Sequence, residues 1–283
     1  MKNTLYIIGN GFDLFHQIPT AYINFRKYIF TKNITLKEWL NNIYGPSAIQ
    51  NDMWWSYFET MLGQVDYANI SKVKQGTALA PNMVDNLNTN LSLFFGNWIK
   101  EVNTNIRTDI SPIEELDSSS LFFTFNYTML LEKVYQINSD NIWHIHGSID
   151  EFKKNQKAII VGHDIDMGQL LQYSSTSQFK NIPLAYLDLI NQAVGKGAKK
   201  VHDRIESNLD KFNSYTDIIH FIVMGFSFND IDMPYIKKII DVNNNIHNTK
   251  WTIYWHTEGE DTAIIEKLQH LNIKKEQITT KYW

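Results

Sequence analysis

Four apolar runs in this chain break off into small polar residues: LYII into GNGFD, FFTF into NYT, WHI into HGS, and FIVM into GFSFND. A short β-branched and aromatic run bounded this way predicts a strand buried on both faces, with its carboxyl end opening onto a site. Strands are therefore expected at 5–8, 121–125, 142–145 and 218–224, with two more at 158–161 and 251–255. Apolar residues at helical intervals fall between them: over 20–29 behind Pro19, over 130–135, over 236–242, and over 263–271 as a closing helix. From about 32 to 115 the helical spacing runs through Leu36, Leu40, Trp54, Phe58, Leu91, Phe95 and Trp98 without a clear strand signal, and a second such stretch covers about 167–212, including Leu170 and Leu171. Strand and helix alternate without hairpin dipeptides. The pattern predicts an α/β fold, a Rossmann-like and mostly parallel sheet with helices on both faces, as a single domain over 1–283 carrying two large helical insertions.

Composition narrows the class. The 16 Phe, 14 Tyr and 8 Trp among 283 residues argue against disorder, because aromatics of that number supply a core. They read as core within the helical insertions, with a homo-oligomer interface as the alternative. The absence of Cys excludes disulfides, thiolate metal sites and a cysteine nucleophile, and suits a reducing compartment. The apolar stretch at the N-terminus is too short for a signal peptide and no later run is long enough to span a bilayer, so a soluble, cytoplasmic protein with no membrane partner is expected. With a formal charge of -4 and only short basic clusters, such as Lys153-Lys154 and Lys237-Lys238, nucleic acid is not a favoured partner.

The candidate chemistry sits at the strand ends, where open α/β sheets bind ligands. Gly9-Asn10-Gly11 follows the first strand, and glycines there can take positive φ and let a phosphate or ribose approach the backbone amides. The turn lacks the third glycine of the dinucleotide fingerprint and the Lys-Ser/Thr of a P-loop. Asp13 beyond it is placed either to bind ribose hydroxyls or to cap the next segment. Asn126 and Thr128 flank Tyr127, and an asparagine at a strand end can hold a water or a sugar hydroxyl without changing charge. His144 and His146 alternate on a strand and are expected on one face. Gly147 favours His146 at the strand's mouth, and a metal would need a third ligand from elsewhere, so none is expected. His163 reads as a satisfied loop residue. Gly225, Ser227 and Asn229 repeat the first pattern and can contact phosphate or ribose, whereas Asp232 and Pro234 begin the next helix. A serine nucleophile fails because Gly-x-Ser-x-Gly is absent.

Taken in order, LYIIGNGFDLFHQIPTAYINF, FFTFNYTMLLEKVY, WHIHGSID and FIVMGFSFNDIDMPYIKKI resemble the AbiH family of bacterial abortive-infection proteins, which act against phage. The same order resembles sirtuin-like NAD-binding domains. That resemblance implies Asn126 and His146 as the catalytic pair; beside them Asp13, by its charge, can stabilise a developing cation on the sugar. It further implies that Gly9, Gly11, Ser227 and Asn229 line a bound NAD, with Asn10, Phe12, Tyr127 and Gly225 in the same turns. Many defence-associated relatives carry an Asp two residues after the Asn, where this chain has Thr128. The implied activity is hydrolysis of the nicotinamide-ribose bond of NAD, and a phage-derived trigger is the implied partner. The alternatives are a sensor that binds a nucleotide or phage ligand without turnover, and a metal-dependent nuclease using His144, His146, His163 and Asp164.

Overall fold

A computed structural model describes residues 2–72, 79–107, 109–112, 116–165, 169 and 183–283. The chain divides into two compact units, one of Met1–Thr20, Ile99–Lys154 and Val201–Trp283, the other of Ala21–Trp98 and Asn155–Lys200. The expected helical stretch around Leu170 and Leu171 lies outside the described residues.

The first unit is built on a six-stranded sheet in the order β3-β2-β1-β4-β5-β6. Its strands are β1 Thr4–Ile8, β2 Leu121–Thr124, β3 Ile142–His144, β4 His220–Met224, β5 Lys250–Trp255 and β6 Ile278–Tyr282. Every pairing is parallel. Parallel strands need both faces covered, and β1 meets that demand with no alternation of exposure: Leu5, Tyr6, Ile7 and Ile8 are all buried. Leu5 and Ile7 join Phe123, Phe221, Val223, Trp251 and Ile253 in a core shared with Tyr235, Ile236 and Ile239 of the helix Met233–Val242. On the opposite face Tyr6 stacks on Phe122 at 4.8 Å. Full burial of one such side chain contributes about 2–3 kcal/mol.

Register decides where the polar residues end up. Ile8 stands opposite both Thr124 and Met224, and Thr124 stands opposite His144. The residues that follow each strand therefore emerge side by side. The strand order reverses between β1 and β4, the switch point where sheets of this kind bind ligands.

Three expectations change. The apolar run 158–161 forms no strand; Ile159 and Val161 are buried, and an isolated bridge joins His163 to Ala198. A short apolar run reads the same whether or not a partner strand exists to receive it. β6 was not expected, because ITTKY is an edge strand with largely exposed side chains and little apolar signal. The first glycine turn leads at once into the helix Asn10–Phe15, a short helix that the spacing did not predict.

The second unit is helical. Tyr22–Lys32, Ile34–Tyr44, Pro46–Gln50, Asp52–Ser56 and Phe58–Leu62 follow one another closely, and Asn33 and Asn51 cap their successors by accepting from Leu36 and Met53 amides. Its aromatics are core: Phe25 packs against Phe95 at 5.2 Å and Trp98 at 5.0 Å, and Trp55 stacks on Phe58 at 5.1 Å. Among the described residues no helix is long and apolar enough to cross a membrane.

Candidate functional site

The turns after β1 and β4 lie against each other. Gly9 donates to the Met224 carbonyl at 3.0 Å and Gly11 to the Gly225 carbonyl at 2.8 Å, while Phe12 donates back to Gly9 at 3.0 Å. These three amides are thus engaged within the protein, a different use from the phosphate cradle that glycines at this turn suggest. The glycines are required by proximity. A Cβ on Gly9 would sit 2.5 Å from the Gly225 oxygen, one on Gly11 would sit 2.7 Å from the Gly225 Cα, and one on Gly225 would sit 2.1 Å from the Phe12 nitrogen. Gly9 has an ordinary extended φ of -120°. Gly225 alone of the three takes a positive φ, +64°.

Asp13 comes from the helix that this turn begins, and it meets the end of β2. Asn126 donates its side-chain amide to Oδ1 of Asp13 at 2.9 Å and to the Gly9 carbonyl at 3.0 Å, and the Thr128 hydroxyl donates to Oδ2 at 2.8 Å. All three residues are buried, Asp13 to 1 % exposure and Asn126 to 7 %. Burial pushes the Asp13 carboxyl up to about 7; the bonds from Thr128 and Asn126 and the nearby His144 charge pull the other way, and Glu132 adds to the rise. This carboxyl changes ionisation near neutrality.

Behind Asn126 stands a second buried pair. His144 donates from Nδ1 to the Asn126 carbonyl at 2.7 Å, and its Nε2 meets Oε1 of Glu132 at 3.0 Å. Burial opposes the imidazolium, but the bond and charge of Glu132, with the Asn126 carbonyl, hold the His144 pKa above its ordinary value. Both ring nitrogens then donate, so His144 grips the backbone of Asn126 while the Asn126 side chain grips Asp13. Oε2 of Glu132 is buried without a hydrogen-bond partner among the described residues.

His146 is buried at 2 % exposure among the rings of Phe125 at 5.5 Å, Tyr235 at 5.7 Å and Tyr127 at 6.2 Å, with Nε2 3.3 Å from Oδ1 of Asp232. The two histidines do not share partners as strand alternation suggested, because β3 ends at His144 and the chain turns at residues 145–146. His144 serves Asn126 and Glu132, and His146 faces Asp232. The nuclease set loses its members to other bonds: His163, in the helical unit, donates to the Val194 carbonyl at 2.9 Å and accepts from Ile165 at 3.1 Å. Among the described residues no three His, Cys, Asp or Glu side chains are placed to hold a metal.

The remaining candidates lie in the same turns at different depths. Asn10, Ser227 and Asn229 are exposed, and Asn10 donates to the Thr20 carbonyl at 3.3 Å. Tyr127 is buried beside His146. Phe12 is fully buried against His16 at 4.7 Å and Tyr135 at 5.5 Å, which makes it a wall of the core. Sequence reasoning missed Glu132, the partner role of Asp232, and His16. The last donates from Nδ1 to the Phe12 carbonyl at 2.7 Å and accepts from the Tyr135 hydroxyl at 2.5 Å; burial lowers its pKa, against the Phe12 bond. It borders a cavity of about 460 Å³ with Phe15, Ile18, Val102, Ile106 and Arg107. Ile18 donates to the Asp13 carbonyl at 3.0 Å, so the cavity wall and the buried acid are joined through one turn. The spacing Asp13 to Ile18 carried no signal, because the contact depends on a turn that ends a six-residue helix.

A family model described as bacteriophage abortive infection AbiH matches residues 5–82 and 73–255, which covers the sheet from Leu5 of β1 to the end of β5 and every residue of the Asp13, Asn126 and His146 cluster. No curated protein matches the chain.

Proposed function

The chain belongs to the AbiH bacteriophage abortive infection family and is an antiphage protein, and from that premise we propose that its α/β unit hydrolyses the nicotinamide-ribose bond of NAD. One observation carries the reading: Asn126 and Asp13 are joined at 2.9 Å where β1 and β2 end in register, beside the switch point. Thr128 also supports it. The position that holds a carboxylate in many sirtuin-like relatives carries a hydroxyl here, and that hydroxyl binds the carboxylate of Asp13. The negative charge is supplied by the first turn instead of the second.

Nicotinamide departs with the electron pair of its bond to C1′, which neutralises its pyridinium, so no acid is needed to expel it. Asp13, once ionised, stabilises the oxocarbenium-like sugar, Asn126 orients a water, and His146 takes the proton that water loses as its oxygen bonds to C1′. The products are nicotinamide, ADP-ribose and a proton. A phage-derived component is the trigger in this reading.

Incubation of the purified protein with NAD, NADP and ATP, followed by product analysis, tests it. Nicotinamide and ADP-ribose are expected from NAD, with Asn126→Ala and His146→Ala each at least about 100-fold slower. Undiminished turnover in both variants overturns the proposal. A second reading, a sensor that binds a nucleotide or phage ligand without cleaving it, draws support from the burial of Asp13, Asn126 and His146 to 1 %, 7 % and 2 % exposure. Tight binding of NAD or ADP-ribose with no product selects it.

A further inference from the structure

We infer that Asp232 is a positioning residue for His146, holding the ring and the proton on its Nε2; its kinetic consequence rests on the NAD-cleavage reading above. Oδ1 of Asp232 lies 3.3 Å from Nε2 of His146, an ion-pair contact outside hydrogen-bond geometry, and the two side chains are 12 % and 2 % exposed. Charges this close and this buried are screened far less than a surface pair. Asp232 stands at the N-cap of Met233–Val242, where an aspartate ordinarily accepts from the amides of the helix's own first turn. It makes no side-chain cap bond there. Its carboxylate faces the imidazole instead.

The backbone leading to Asp232 is shaped for that placement. Phe228 is fully buried and takes a φ of +53°, a left-handed conformation that costs a bulky residue about 1–2 kcal/mol. Lys267 fastens the turn by donating to the Phe228 carbonyl at 2.6 Å and to Asp230 at 3.1 Å. The Asp232 amide then donates to the Asn229 carbonyl at 2.9 Å. Backbone strain held by such over-determination collects at functional sites. The rings of Phe125, Tyr127 and Tyr235 also pack against His146. An aspartate against one nitrogen of a ring so enclosed keeps the proton there, selects the tautomer, and stabilises the imidazolium that forms when the ring takes a second proton.

Nitrogen-15 NMR of the labelled full chain tests the pairing, with His146→Gln identifying the resonances. The wild type is expected to show a His146 ring protonated at Nε2. Asp232→Asn is expected to shift its two nitrogen resonances toward the other tautomer, and Asp241→Asn, an exposed carboxylate on the same helix, to leave them in place. Asp232→Ser takes the place of the Asn variant should that one not fold. Identical His146 resonances in wild type and variant overturn the inference. In NAD hydrolysis Asp232→Asn is expected to lower kcat about 100-fold with KM within about threefold, and an unaltered kcat overturns the kinetic role. A protein that leaves NAD intact removes the cleavage reading, and the resonances still decide whether Asp232 holds His146.

Discussion

The Thr128 hydroxyl donates to Oδ2 of Asp13 across 2.8 Å, at a carboxyl only 1 % exposed. With the Asn126 amide on the other oxygen, the ionised form is hydrogen-bonded on both sides, yet its pKa rises to about 7 because burial outweighs both bonds.

A raised carboxyl in the folded state favours folding where it is protonated and opposes it where it is ionised. The contribution of Asp13 is fully present below its ordinary 3.8 and is lost as pH rises through about 7. Asp13→Asn keeps the shape and removes the titration. Urea unfolding of both proteins from pH 4 to pH 8 is expected to show the wild type losing stability relative to the variant, by up to about 4 kcal/mol for a shift of some three units. Parallel curves would show that Asp13 is not the group responsible.

Gly225 and Gly259 separate strain from collision. Both take positive φ, +64° and +81°, but an added Cβ on Gly225 lands 2.1 Å from the Phe12 nitrogen whereas one on Gly259 meets nothing within 4 Å. Gly259→Ala is expected to cost about 1–2 kcal/mol from conformation alone. Gly225→Ala is expected to cost clearly more, about 3 kcal/mol or above, because the β1 and β4 turns must part. Equal thermal midpoints for the two variants would show that the turns have room to separate.

Glu132 supports Asn126 through His144. Glu132→Gln removes the charge that offsets the burial of the imidazolium, and is expected to cost about 2–3 kcal/mol. His144 has a raised pKa, so the stability it brings is fully present below 6.5 and fades as pH rises through the raised value. The penalty of the substitution, measured by chemical unfolding, should therefore be larger at pH 6 than at pH 9. A penalty independent of pH would mean that His144 is neutral in the folded protein.

Much of the sheet was legible because strands buried on both faces leave unbroken apolar runs, as Leu5 to Ile8 and Phe221 to Met224 do. The places of the candidate site residues were legible for a related reason: a polar group directly after such a run has few places to go except the sheet's carboxyl edge. Asp13 and Asn126 could be named singly, but their bond depends on register, with Ile8 opposite Thr124, and register is a property of pairing. Glu132 and Asp232 looked like ordinary helix residues because helix starts are rich in acids, and only the packing of their helices turned them toward His144 and His146. The run 158–161 misled for the opposite reason, since it is apolar and partly buried yet takes no strand conformation.

β1 lies inside the sheet, between β2 and β4. It pairs through Thr4 with His220, and Gly9 and Gly11 donate to Met224 and Gly225, so synthesis must pass β4 before either turn finds its partner. Contacts of such long sequence separation form slowly and late. A nascent or truncated product ending before β4 carries Asp13, Asn126 and His146 but has no second turn to hold the first in place. The first turn is thus held in place only in a chain made through β4.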